Sequence, residues 1–120
     1  MTRIISIIMA MFMVAALSVS ALAADKANGA ALYKKNCAGC HGATGEGNGP
    51  AAASIKPKPA NFVSNDYKDS TGKNPKDYSD AELTKIIEDG RKNTSMVAWK
   101  KTINPTQTAD LVAYIRSLHK

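Results

Sequence analysis

The chain has 120 residues, 44% of them hydrophobic, and a formal net charge of +6 at pH 7. Residues 1–24 hold a large share of the apolar side chains and a single charge, Arg3, so the two regions are read separately; what remains is one domain's worth of chain with no internal repeat. The lysines run from Lys26 to Lys120 with acids between them, which excludes the basic block of a nucleic-acid arm and leaves surface charge as a docking feature.

Arg3, an apolar stretch from Ile4 to Leu17 and then Ala21-Leu22-Ala23 form the n-region, h-region and A-x-A cleavage site of an export signal. This predicts removal of residues 1–23 and a single domain over residues 24–120, working in the periplasm. The alternative is an uncleaved anchor, since residues 4–23 are just long enough to span a bilayer; no later apolar run is. The remaining 97 residues carry a charge of +5 and include 13 Val, Ile, Leu and Phe, well below the roughly 20% at which a chain starts to look disordered. With only Cys37 and Cys40, one short-loop disulfide is the most that sulfur can add, so something else must complete the core.

The first predicted helix covers residues 26–40, with Ala27, Ala30, Ala31, Leu32 and Tyr33 in a helix-favouring context and Asp25 as N-cap. From residue 42 to 59, Gly42, Gly45, Gly47, Gly49, Pro50, Pro57 and Pro59 break regular structure, and the segment stays polar through Tyr78. A loop of roughly 35 residues is unusual in a small domain unless it wraps something large. Ser79-Asp80-Ala81-Glu82 is a capping box, followed by Leu83, Ile86 and Ile87 at helical spacing and stopped by Gly90. Asn104-Pro105-Thr106-Gln107 opens a last helix whose apolar face is Leu111, Val112, Tyr114, Ile115 and Leu118. No segment reads as a strand, so the fold class is all-α.

Cys37-Ala38-Gly39-Cys40-His41 is the C-x-x-C-H pattern of covalent c-type haem attachment. On a helical turn these three residues stand at i, i+3 and i+4 and face one way, so two sulfurs can form thioethers with the haem vinyls while the imidazole reaches the iron. A redox disulfide and a zinc half-site completed by His119 are the alternatives. For the sixth iron position the candidates are Met96, His119 and the lysines. Met96 is the only methionine after the signal and stands in an irregular stretch between two helices. A thioether opposite His favours ferrous iron and raises the potential; a core-filling role is the other reading of Met96. His119, next to the end of the chain, reads as solvated.

These features resemble a class I c-type cytochrome, over residues 25–119. The resemblance implies a cytochrome c fold of three principal helices and long loops around one covalent haem c. It implies that Gly29 and Tyr33 pack across the last helix at Leu111 and Tyr114, that the Pro50 carbonyl accepts the His41 Nδ1 hydrogen, and that Met96, followed by Trp99, forms the methionine loop. Trp99 would cover the haem or donate its indole N–H to a propionate. One departure is Val97, where many relatives carry a proline just after the methionine, which leaves the loop less rigid. The expected function is a monomeric, periplasmic one-electron carrier, an electron-transfer protein and not an enzyme, docking transiently and electrostatically with redox partner proteins. The alternatives are a haem enzyme or gas- or peroxide-responsive protein with a labile Met96 bond, and an electron-transfer subunit of a larger dehydrogenase or oxidase.

Overall fold

The computed structural model describes residues 23–120; nearly all of the expected export signal, or anchor, lies outside the described residues. The chain forms α1 (Lys26–Asn36), α2 (Ala38–His41), α3 (Asp80–Asp89) and α4 (Pro105–Ser117), with 3-10 turns at Ala52–Ser54 and Pro75–Asp77. Among the described residues there is no strand, and no helix is long and apolar enough to cross a membrane.

Each long helix begins where its side chains can satisfy the free amides of a first turn. The Asp25 carboxylate accepts from the Asn28 amide. Full capping boxes, Ser79 with Glu82 and Asn104 with Gln107, open α3 and α4. Gly90 ends α3 at φ +70°, a conformation that costs glycine little. The helix expected over residues 26–40 is broken at Cys37, whose φ of −119° separates α1 from α2. The turn itself survives, because the Cys40 and His41 amides both donate to the Cys37 carbonyl at 3.2 and 2.9 Å.

Helices α1 and α4 make the main helix pair. Gly29 lies against the α4 backbone so closely that a Cβ would overlap the Asp110 carbonyl, and Tyr33 meets Tyr114 with ring centroids 5.2 Å apart. Asp110 is buried and accepts from the Asp25 amide at 2.7 Å and from Asn28 Nδ2 at 2.8 Å. A carboxylate on α4 thus completes the N-terminus of α1 with two charge-assisted bonds. The Tyr33 hydroxyl donates to the Gly42 carbonyl at 2.6 Å, tying α1 to the chain just after α2.

Tyr33, Leu83, Ile87, Ile103, Leu111, Val112 and Ile115 form the buried cluster. The long loop is organised by a polar residue instead: Asn74, 1% exposed, donates to the carbonyls of Ser64, Asn65 and Tyr67 and accepts from the Lys76 amide. That satisfies a loop whose own apolar content is too small to pack it.

The close approach at Gly29 makes a specific prediction. Gly29→Ala should destabilise the folded protein by about 1–3 kcal/mol through overpacking against backbone. Gly39→Ala, where nothing lies within 4 Å of an added Cβ, should stay within about 0.5 kcal/mol of the parent. Urea unfolding of both variants checks the contrast.

Candidate functional site

A four-residue helix exposes every one of its carbonyls at its end, and the glycine-rich loop after α2 supplies them all. The Gly42, Ala51, Gly49 and Gly47 amides donate to the carbonyls of Ala38, Gly39, Cys40 and His41 at 2.9, 3.0, 3.1 and 2.7 Å. Gly49 must lack a side chain for this, since a Cβ there would collide with the Gly39 carbonyl oxygen. The loop therefore clamps the Cys-x-x-Cys-His turn by backbone alone.

Gly47 serves the next step. A Cβ on it would stand 2.6 Å from the Pro59 carbonyl, so its absence lets residues 59–60 lie against the loop. That brings the Ala60 carbonyl to 3.1 Å from His41 Nδ1, and Phe62 stacks on the imidazole at 4.7 Å between centroids. A carbonyl can only accept, so Nδ1 carries the hydrogen and Nε2 is the nitrogen with a free lone pair. Burial pushes the His41 pKa down against the opposing pull of the Ala60 bond, which keeps the ring neutral and able to ligate. The acceptor expected from the resemblance was Pro50. Pro50 is exposed, and the chain needs ten more residues and a further turn before a carbonyl reaches the imidazole.

Cys37 and Cys40 are not joined to each other and both face the same cavity. Burial, and secondarily the neighbouring Cys40, push the Cys37 thiol up to about 11.

Opposite this turn, residues 91–99 fold back on themselves. The Arg91 amide donates to the Met96 carbonyl at 3.1 Å, the Thr94 hydroxyl to the Arg91 carbonyl at 2.8 Å, and the Trp99 amide to the Ile87 carbonyl at 3.0 Å. Met96 and Trp99 are half-buried. Cys37, Cys40, His41, Met96 and Trp99 all line one cavity of about 540 Å³, whose apolar walls include Leu83, Ile87, Ile103, Leu111 and Ile115. Pro50 is not among its lining residues. His119 borders a smaller cavity of about 150 Å³ beside Phe62, Arg116 and Lys76, and its buried Nδ1 has no partner. Neither a zinc site built on His119 nor His119 as an iron ligand fits that position.

The volume falls in the range of cofactor pockets, about 300–1,000 Å³. Its donors suit haem: two thiols and an imidazole from one turn, a thioether from the facing loop, and a wall that is largely aliphatic, with Asp69, Tyr78 and Arg91 at one side. Sequence reasoning did not identify Ala60, Phe62, Asp69, Tyr78 or Arg91 as part of this site. The prolines and Phe62 around Ala60 were a usable signal for a chain returning under the motif; the ionic residues gave none.

A family model described as Cytochrome c matches residues 26–119. No curated protein sequence matches the chain. Among solved structures, a chain of the Kuenenia stuttgartiensis reducing HAO-like protein complex is 35% identical, with a TM-score of 0.64 over 77% of this chain and 41% of its own. The KustC0563 c-type cytochrome is 22% identical, with a TM-score of 0.60 over 77% of this chain and 98% of its own. Cytochrome cL from the marine methylotrophic bacterium Methylophaga aminisulfidivorans is 23% identical, with a TM-score of 0.57 over 78% of this chain and 53% of its own. The last two likenesses bear on the fold alone. This chain matches about two fifths of the first.

Without an occupant, a cleft of about 540 Å³ would leave the aliphatic side chains of its wall facing water, in a domain with few other large apolar groups to bury. Replacing both Cys37 and Cys40 with Ala should therefore give a chain without cooperative unfolding and with much reduced helical circular dichroism; retention of a sigmoidal urea transition would show that the polypeptide closes the space by itself.

Proposed function

The chain belongs to the cytochrome c family, and we propose that within it the protein works as an exported, periplasmic one-electron carrier in which His41 and Met96 are the two axial ligands. Haem c, attached through Cys37 and Cys40, supplies the ferrous–ferric couple. The observation that carries the reading is that His41 and Met96, 55 positions apart in sequence, line the same cavity as both cysteines. The Ala60 bond fixes the imidazole tautomer and makes Nε2 the better donor, while Phe62 stacked on the ring limits its rotation. Two ligands retained in both oxidation states keep the nuclear rearrangement small. Trp99, half-buried on the cavity wall, helps exclude water from the Met96 side.

A second reading, a subunit fixed within a larger redox complex, is favoured by the 35% identity to part of a chain from the reducing HAO-like complex. The two readings share the same site chemistry and differ in whether the protein diffuses.

Replacing Met96 with Ala should lower the reduction potential by on the order of 100 mV or more and admit exogenous ligands. The sulfur-to-iron charge-transfer band of the ferric protein in the near infrared should vanish with it. An unaltered potential together with a persistent band would assign the sixth position to another group, and ready binding of peroxide or carbon monoxide by the parent protein would favour the enzyme or sensor alternative.

Docking is expected to be steered by lysines. Lys34, Lys35 and Lys101 are exposed, whereas Lys100 is engaged by Asp89 at 3.3 Å. Changing Lys34, Lys35 and Lys101 to Glu should slow association with an acidic partner several-fold at low salt. The difference should shrink as the Debye length falls below about 10 Å. Stopped-flow rates across a salt series check this; rates that are flat or rise with salt would mean an apolar or basic docking face.

A further inference from the structure

Arg91 follows the glycine that ends α3 and opens the methionine loop, and both its backbone and its side chain are engaged. Its amide holds the Met96 carbonyl and its carbonyl accepts from Thr94, whose hydroxyl in turn accepts from the Met96 amide at 3.2 Å. Its guanidinium reaches across the cavity wall, with Nη1 3.0 Å from the Asp69 carboxylate and Nη2 2.7 Å from the Tyr78 hydroxyl. Tyr78 donates to the same carboxylate oxygen at 2.6 Å. The other Asp69 oxygen accepts from the Thr71 amide, the Thr71 hydroxyl and the Lys73 amide. Asp69 is thus a rigid anchor, with its side chain only 5% exposed. Among the described residues, the two guanidinium contacts are the only hydrogen bonds from residues 91–98 to residues 67–78.

We propose that Arg91 is the positioning residue of the methionine loop, clasped by Asp69 and Tyr78 so that Met96 is held toward the cavity. The inference rests on the reading of Met96 as an iron ligand and adds what keeps it there. The backbone bonds close the loop on itself and tie its end to α3, and none of them reaches the opposite wall. Val97, at the position where a proline would have restricted the loop, is instead 61% exposed, so its side chain restrains the loop little. The clasp replaces that missing restraint. Half-removal is costly because it leaves the Asp69 carboxylate largely buried without its cation. Lysine would keep the charge but lose the forked geometry that contacts two oxygens at once.

The test uses the ferric holoprotein and imidazole as the probe, since an external ligand binds in proportion to the fraction of molecules whose loop is displaced. Arg91→Gln should bind imidazole roughly tenfold more tightly and weaken the sulfur-to-iron band. Arg91→Lys should fall between it and the parent. Gly29→Ala overpacks α1 against the Asp110 carbonyl of α4, at residues that line no part of the cavity and touch no member of the clasp. It should lower the urea midpoint yet leave imidazole affinity unchanged, which separates positioning from general destabilisation. Should Arg91→Gln fail to fold, Tyr78→Phe keeps the ion pair and loses the hydroxyl's bonds to Arg91, Asp69 and Thr71, and a gain of about threefold is expected.

Imidazole affinity in Arg91→Gln, or in Tyr78→Phe where it is the variant in hand, no greater than in Gly29→Ala overturns the clasp. If Met96→Ala binds imidazole more tightly in that same series, the ligation reading stands and the clasp alone is lost. If Met96→Ala also leaves imidazole binding unaltered, both fail together.

Discussion

The constraint on which the rest of the structure depends is that the interior is built around a cofactor and not around side chains. Leu83, Ile87, Ile103, Leu111 and Ile115 belong to the buried cluster and to the cavity wall at once, so each packs on protein with one side and faces with the other the space that a haem would fill. A domain with so few large aliphatic residues cannot reach native packing density any other way. This also explains why a long stretch between α2 and α3 can dispense with regular structure. Its backbone groups are satisfied by glycine amides, by Asn74 and by Asp69, while the bulk it would otherwise have to bury is provided by the ligand.

What was legible in the sequence is what is encoded locally. The two capping boxes, Gly90 as a helix stop and the Cys-x-x-Cys-His turn each follow from residues within one or two turns of each other; α3 begins and ends, and α4 begins, where those signals place them. The break at Cys37 was not legible, because a run of good helix formers carries no mark of where the chain must turn to aim two sulfurs at one ligand. Nor was Asp110, which reads as a surface residue of α4 until the N-terminus of α1 is brought against it.

The misplaced acceptor at Pro50 shows the same limit from the functional side. The resemblance implies that the chain returns to the histidine at Pro50, soon after the motif, yet the loop first spends its amides on the four carbonyls of α2. Only after that debt is met does the chain come back, at Ala60. The order follows from cost: carbonyls at a buried helix end each need a partner, whereas one imidazole hydrogen can be satisfied by any carbonyl that arrives.

The two sides of the cavity are held by different physics. On the histidine side the restraint is short in sequence and made of backbone bonds, with glycines setting the distances. Across from it, the methionine loop hangs between the end of α3 and Trp99, and its contact with the far wall is a charged cluster drawn from Asp69, Tyr78 and Arg91, up to 22 positions apart. Burial works to raise the Asp69 pKa, but bonds from Thr71, Tyr78 and Lys73 outweigh it and hold the carboxyl well below the ordinary range, so the anchor stays ionised wherever the protein folds. Backbone bonds to glycine cannot be retuned without refolding the turn, while a side-chain cluster can be changed one residue at a time. In this fold the covalent side is thereby fixed, and the hold on the loop that carries Met96 is left to residues that a single substitution can adjust.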